Sequence, residues 1–164
     1  MSRVPHDRPL IASLLDRLID EEPTKRTESP MSRTQLLTQM KQSVARDLQN
    51  LLNTRCRATG WPQSLDQLDQ SLVAYGIPDC VGINTGSRNQ QEQLRQMILR
   101  NVQTFEPRLT GVRVSLSETN DEADRALRFR IDALLKVDPA PEPVAYDSRL
   151  DATSGDFEVQ GVRR

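Results

Sequence analysis

Residues 93–116 read QLRQMILRNVQTFEPRLTGVRVSL, and their pattern decides the fold. Leu94, Met97, Ile98, Val102 and Phe105 recur at helical spacing. Pro107 disfavours the α region for the residue before it, so the helix ends near Glu106. After Gly111, the apolar Val112, Val114 and Leu116 alternate with Arg113, Ser115 and Ser117, which is strand spacing. A glutamate and an arginine therefore sit on either side of a proline at a rigid corner, with an apolar element on each side. Such a corner restricts the chain and fixes two opposite charges, so it requires a physical reason.

Downstream, Leu127, Phe129, Ile131, Ala133 and Leu135 alternate with Arg128, Arg130, Asp132 and Lys136. This predicts a second, longer strand, antiparallel to the first across a polar reversal at 118–124. Val114 and Phe129 are expected to face the helices from adjacent strands. Asp138-Pro139-Ala140-Pro141 breaks the second strand. Val144, Tyr146 and Ser148 suit a third strand, and Phe157 and Val159 a short fourth within 155–162. Arg128 and Arg130 share one face with neighbouring charges. A nucleic-acid reader is the functional alternative to a solvated sheet face. No aromatic residues interleave and the net charge is -1, so the solvated face is the better reading.

Upstream, Leu36, Leu37, Met40, Val44, Leu48, Leu51 and Leu52 predict a long helix over 33–53, which Ser32 can cap. Its other face carries Lys41, Arg46 and Asp47. The apolar stripe could serve a coiled-coil partner, but two other apolar elements need something to pack on, which favours the core. Residues 54–60 break the pattern. Trp61-Pro62 opens a segment with Leu65, Leu68, Leu72, Val73 and Tyr75, in which Ser64 is a candidate cap for a short helix. Trp61 either anchors a partner or fills a core edge. Gly76-Ile77-Pro78-Asp79 reads as a turn. Residues 80–86, CVGINTG, lack a lysine in the phosphate-loop position. Ser87 begins the central helix.

At the start, residues 1–8 read as a disordered tail, and Pro9 suits a first helical turn. Leu10, Ile11, Leu14, Leu15, Leu18 and Ile19 predict a short amphipathic helix closed by Asp20-Glu21-Glu22-Pro23. Its apolar face is broad for its length and must dock on its own domain or on a partner. Residues 23–31, PTKRTESPM, form a polar, proline-bounded linker. The predicted class is α+β, with N-terminal helices packed on a small antiparallel β-sheet of two to four strands. The predicted division is 1–31 for tail, docking helix and linker, 32–160 for the main domain, and 161–164 for a C-terminal tail.

A chain of 164 residues suits one domain with frayed ends. Apolar content of 36% and aromatic content of 4% allow a modest core and leave room for a partner-dependent surface. The charge balance argues against a general polyanion binder. No apolar run is long enough to span a bilayer. The start, MSRVPHDRPL, lacks a signal-peptide core, so a cytoplasmic location is expected. Cys56 and Cys80 are too few for a disulfide framework or a zinc site and read as reduced thiols.

An enzyme needs a site. His6, the only histidine, lies in the predicted tail, so histidine acid–base or metal chemistry is poorly served and no cofactor is expected. A carboxylate pair, as in glycoside hydrolysis, remains. One member of such a pair must hold a proton, and Arg108 close to Glu106 works against that. A structural ion pair or a partner-facing charge fits Glu106 better.

Several stretches carry a resemblance: Ser13-Leu14-Leu15-Asp16-Arg17-Leu18, Asp47-Leu48-Gln49-Asn50-Leu51-Leu52-Asn53-Thr54-Arg55, Tyr75-Gly76-Ile77-Pro78-Asp79 and, above all, Phe105-Glu106-Pro107-Arg108-Leu109. Pro141-Glu142-Pro143-Val144-Ala145-Tyr146-Asp147-Ser148 adds to them. Standing in order over residues 13–159, they resemble the baseplate wedge family of contractile phage tails, called lysozyme-like in older usage, and within it the TssE branch of type VI secretion. The Glu-Pro-Arg core is that family's hallmark and is complete here.

The resemblance implies a structural, non-enzymatic subunit with a compact α+β fold like the interlocking part of a sheath subunit. It implies a place in the cytoplasmic baseplate wedge beside TssF and TssG, within a platform containing TssK. There it would couple the wedge to the first sheath ring of TssB and TssC and help initiate sheath assembly. A free sheet edge could accept strands from sheath subunits. The alternative, a peptidoglycan-cleaving glycosidase, follows only from the older family label. Neither nucleic acid nor membrane insertion is implied. A surface ion pair contributes at most about 1 kcal/mol, too little to account for a hallmark. Glu106, Pro107 and Arg108 are therefore expected to act in assembly, directly or by shaping the corner. Leu14 and Leu18, beyond the linker, are expected to dock on a baseplate partner.

Overall fold

The computed structural model describes residues 10–19, 24, 31–56, 60–81, 86–117 and 126–162. Helices α1 (Leu14–Leu18), α2 (Arg33–Asn53) and α3 (Arg88–Phe105) precede strands β1 (Leu109–Ser117), β2 (Leu127–Leu135), β3 (Glu142–Leu150) and β4 (Phe157–Gly161). The strands form one sheet in sequential order, each antiparallel to the next. The class is α+β, with the sheet at the upper end of the expected strand count.

Period-two alternation builds the sheet. Leu127, Phe129, Ile131, Ala133 and Leu135 of β2 are buried on one face, beside Val112 and Val114 of β1 and Tyr146 and Leu150 of β3. That face meets Val44, Leu48, Leu51 and Leu52 of α2 and Leu94, Ile98 and Val102 of α3. The stripe of α2 is core, as its periodicity implies. Helix α3 packs along β1 and α2 along β4. On the outer face Arg130 pairs with Asp132 at 3.3 Å and Asp147 at 3.8 Å. This is the solvated, charged sheet face read from the alternation.

Helix α2 opens on a capping box: Ser32 Oγ accepts from the Gln35 amide, and Gln35 Oε1 accepts from the Ser32 amide. Its far end is tied to the Tyr75–Asp79 motif. The Ile77 amide donates to Thr54 O at 3.0 Å, and the Cys56 amide to Ile77 O at 2.9 Å. Gly76 makes this approach possible. Its φ is +98°, and a Cβ there would lie 2.3 Å from Thr54 O.

Several expectations need correction. The first helix spans only Leu14–Leu18; residues 10–13 are not helical, because Ser13 caps the helix by accepting from the Asp16 amide at 3.2 Å. Ser64 makes no cap. Pro62 occupies that position, and the segment is a 3-10 helix, Gln63–Gln70, kinked at Leu65, followed by a short one at Leu72–Ala74. Trp61 stays outside the core cluster and donates Nε1–H to Asp69 Oδ1 at 3.0 Å. Strand β1 starts at Leu109 rather than Val112, through a register shift between Thr110 and Arg113 where Gly111 has φ +60°.

The edge of β4 is not free. Asn53 donates to Phe157 O and accepts from the Phe157 amide, both at 2.8 Å, and Gln49 Oε1 accepts from the Val159 amide at 3.3 Å. The readings of residues 1–8, His6, Pro9 and Asp20-Glu21-Glu22-Pro23 fall outside the described residues, as do those of most of 23–31, 57–59, 82–85 and 118–124.

Val114 and Phe129 both face the helices, 5% and 1% exposed. Val114→Asp would bury a carboxylate on the apolar face of the sheet and is expected to cost several kcal/mol, of the order of a large core defect. A urea melt checks this, and a midpoint equal to the parent's would contradict the packing described.

Candidate functional site

The corner is built where α3 stops. Glu106 is the C-cap of α3, with φ −117° and ψ 77°, and its amide still donates to Val102 O. The chain turns through Pro107 and Arg108, and the Leu109 amide closes back on Glu106 O at 3.1 Å. Strand β2's exit buttresses the turn. The Lys136 amide donates to Arg108 O at 2.8 Å, and Lys136 Nζ donates to Pro107 O at 2.7 Å. Behind it, Tyr75 and Phe105 meet edge to face with centroids 5.2 Å apart.

Glu106 is buried, 5% exposed. Both its carboxylate oxygens accept from Arg108, Oε1 from Nε at 2.6 Å and Oε2 from Nη2 at 2.5 Å. The same guanidinium reaches α2: Nη2 donates to Asp47 Oδ2 at 2.6 Å and Nη1 to Ser43 Oγ at 3.2 Å. A fork with fixed donor directions suits this double engagement, and an ammonium would not. The premise of a surface pair therefore fails. Burial makes the pair a constraint on folding rather than a weak surface contact.

Asp16 of α1 joins the cluster. It is buried and accepts from Ser43 Oγ at 2.8 and 2.7 Å, from Arg46 Nη2 at 2.7 Å and from Ser13 Oγ at 2.5 Å. Arg108 Nη1 lies 4.0 Å from its Oδ2. Ser43 thus donates to Asp16 while accepting from Arg108 and Arg46. Burial alone would raise the Asp16 carboxyl, but the bonds from Ser13, Ser43 and Arg46 outweigh it and hold the group at about 2, below the usual 3.8. Hydrogen bonding to Glu106, opposed by burial and aided by Asp47, holds Arg108 more firmly protonated than usual. Burial, with Asp47 and Glu106 adding to it, raises the Tyr75 hydroxyl.

Of the residues singled out in the sequence, Glu106, Pro107 and Arg108 lie together, with Pro107 exposed and Arg108 partly so. Leu14 and Leu18 are on α1 nearby, 72% and 73% exposed. Asp16, Ser43, Arg46 and Asp47 were not singled out as site residues. The signal for two of them lay inside the quoted motifs, where Asp16 interrupts SLLDRL and Asp47 leads DLQNLLNTR. Among the described residues no group of three or more His, Cys, Asp or Glu is placed to hold a metal ion. With both oxygens of Glu106 bonded to Arg108, the arrangement is built to hold chain segments together.

Fold and corner define a small α+β protein organised on an ion-paired helix-to-strand turn. The family model described as baseplate wedge protein gp25 matches residues 38–140, which include Ser43, Asp47, the Tyr75–Asp79 motif and the whole corner. The chain belongs to this family, whose role is structural and of the phage-baseplate type, in association with other baseplate components. No curated protein and no solved structure matches it. No described helix is long and apolar enough to cross a membrane.

Arg108→Ala leaves Glu106 buried without a counter-charge. With Arg108 itself a quarter exposed, the expected loss is roughly 3 kcal/mol in a urea melt. Adding Glu106→Ala should cost less than the sum of the single changes, because the two side chains act as a unit.

Asp16 gives a pH signature. Its carboxyl is depressed in the folded state, so its contribution is present above about pH 4 and lost as pH falls through about 2. Between about pH 5 and about pH 2 the parent should lose more stability than Asp16→Asn, read from denaturation midpoints.

Proposed function

We propose that the chain is a structural subunit of a type VI secretion baseplate, the TssE subunit, that couples the wedge to the contractile sheath and helps initiate sheath assembly. It sits in the wedge beside TssF and TssG, within the platform that contains TssK, on the cytoplasmic side. Residues 32–160 act as the wedge domain, and the first sheath ring of TssB and TssC builds on it. The observation that carries this reading is the intact Glu106-Pro107-Arg108 corner, inside the span matched by the wedge family.

Burial divides the labour at this corner. Glu106 acts by shaping the turn, while Pro107 and the outer side of Arg108 meet a partner. Charged hydrogen bonds made there in a desolvated interface are worth more than in water. Leu14 and Leu18 add an apolar contact on α1, where they stand exposed among the described residues. A strand donated by the sheath cannot add at Phe157 and Val159, where Asn53 and Gln49 already hold the backbone. Among the described residues, the edge of β1, apart from Val114, whose carbonyl accepts from Arg95 Nη1 at 3.1 Å, and residues 142–144 of β3, beyond the end of β4, are the stretches left to it.

Leu14→Asp and Leu18→Asp alter exposed positions and should leave the melting curve unchanged. Each should cut co-purification with TssF and TssG on the order of tenfold, the loss of one interface anchor. Arg108→Lys keeps the charge without the fork, and should leave a folded protein that no longer supports sheath extension in cells. Normal sheath extension with Arg108→Lys, together with parental capture of TssF and TssG by the leucine variants, would overturn the proposal.

A further inference from the structure

Helix α1 is mounted the wrong way round for a helix that packs by its apolar face. Its buried residue is Asp16, whereas Ile11, Leu14, Leu15, Leu18 and Ile19 are exposed. A helix of this length does not sustain itself in water. Polar contacts hold it: Ser13 at its start, and Ser43 and Arg46 of α2 on the Asp16 carboxylate. Leu10, buried beside Met40, Val137 and Pro139, pins the chain just before it.

We propose that Asp16 is a positioning residue. Its carboxylate latches α1 against Ser43, Arg46 and Arg108 with the leucines turned outward, so that α1 and the Glu-Pro-Arg corner meet the wedge partner as one surface. This rests on the baseplate reading above and adds a role for a residue outside the matched span. The geometry is specific. The Ser43 hydroxyl donates to Asp16 and accepts from Arg108, so the orientation of α1 is tied to the same guanidinium that fixes the corner. Leu14, Leu15 and Leu18 stand at i, i+1 and i+4 on the helix, and with Asp16 facing inward they share the outward side. Without the latch the segment has no preferred orientation, and a partner must bear the cost of ordering it.

The full chain is tested with TssF and TssG as the probe. Asp16→Asn should weaken capture on the order of tenfold and speed tryptic cleavage after the exposed Arg17 by a similar factor, while the body still melts cooperatively, at a midpoint lowered only by the loss of the Asp16 carboxylate. In a Leu14→Asp background, Asp16→Asn should weaken capture no further, because Asp16 acts through the leucines it presents. If Leu14→Asp abolishes capture and Asp16→Asn leaves it at the parental level, the latch is wrong while the baseplate reading stands. If the two changes are additive, Asp16 touches the partner itself and the positioning role is wrong. Parental capture by Leu14→Asp would remove the docking role of α1 and the latch with it. Should Asp16→Asn unfold the body, Arg46→Gln carries the same test from the α2 side. Parental capture and cleavage in that variant would likewise overturn the latch.

Discussion

The guanidinium of Arg108 is the constraint on which the rest depends. It is satisfied by Glu106 of its own turn and by Asp47 and Ser43 of α2, so it fixes where α3 stops, where β1 starts and how α2 lies across both. A planar fork permits this only at one setting of the three segments. Pro107 supplies the stiffness, since it keeps Glu106 out of the helical region. The charges are costly to bury, and that cost makes alternatives poor: any register that separates Arg108 from Glu106 leaves a carboxylate in the core.

Helix α2 carries this constraint across the molecule. At about 1.5 Å per residue it is about 30 Å long, and polar side chains along it meet different elements. Ser43 and Arg46 hold α1, Asp47 holds the corner, and Gln49 and Asn53 hold the backbone of β4. Its apolar stripe meanwhile supplies Val44, Leu48, Leu51 and Leu52 to the core. The corner and the last strand are therefore referenced to one rigid body. Pairing with Asn53 and Gln49 protects an edge that would otherwise invite unwanted strand addition.

Periodicity made the long elements legible. Over α2, α3 and β2 the apolar residues repeat often enough that only one period fits, and their bounds follow closely. It failed where length was short or where side chains met backbone. Leu65, Leu68 and Leu72 satisfy helical spacing, yet Pro62 at the cap position and the kink at Leu65 leave 3-10 turns. The limit of α1 is set by Ser13 capping, a local choice that competes with the apolar run around it. The bonds from Asn53 to Phe157 join residues far apart in sequence and leave no pattern to read. At the corner, the sequence located Glu106 and Arg108 but not their burial, because a charge in a polar turn looks solvated until Asp47 and Ser43 are seen beside it.

The same polar cluster explains how the chain tolerates its exposed leucines. Had α1 been held by its apolar face, Leu14 and Leu18 would be spent on the core and could not serve elsewhere. Held through Asp16, the helix is ordered by directional bonds while its hydrophobic area stays outside. Those bonds set orientation well because each needs its donor in line. They leave most of the driving force of apolar burial unused, since Leu14 and Leu18 stay almost wholly outside and Leu15 about half so. On the proposed reading that unused burial is what a wedge partner gains, with the ordering already done. An aromatic content of 4% and a modest core are consistent with a chain whose assembly completes what its own folding leaves uncovered.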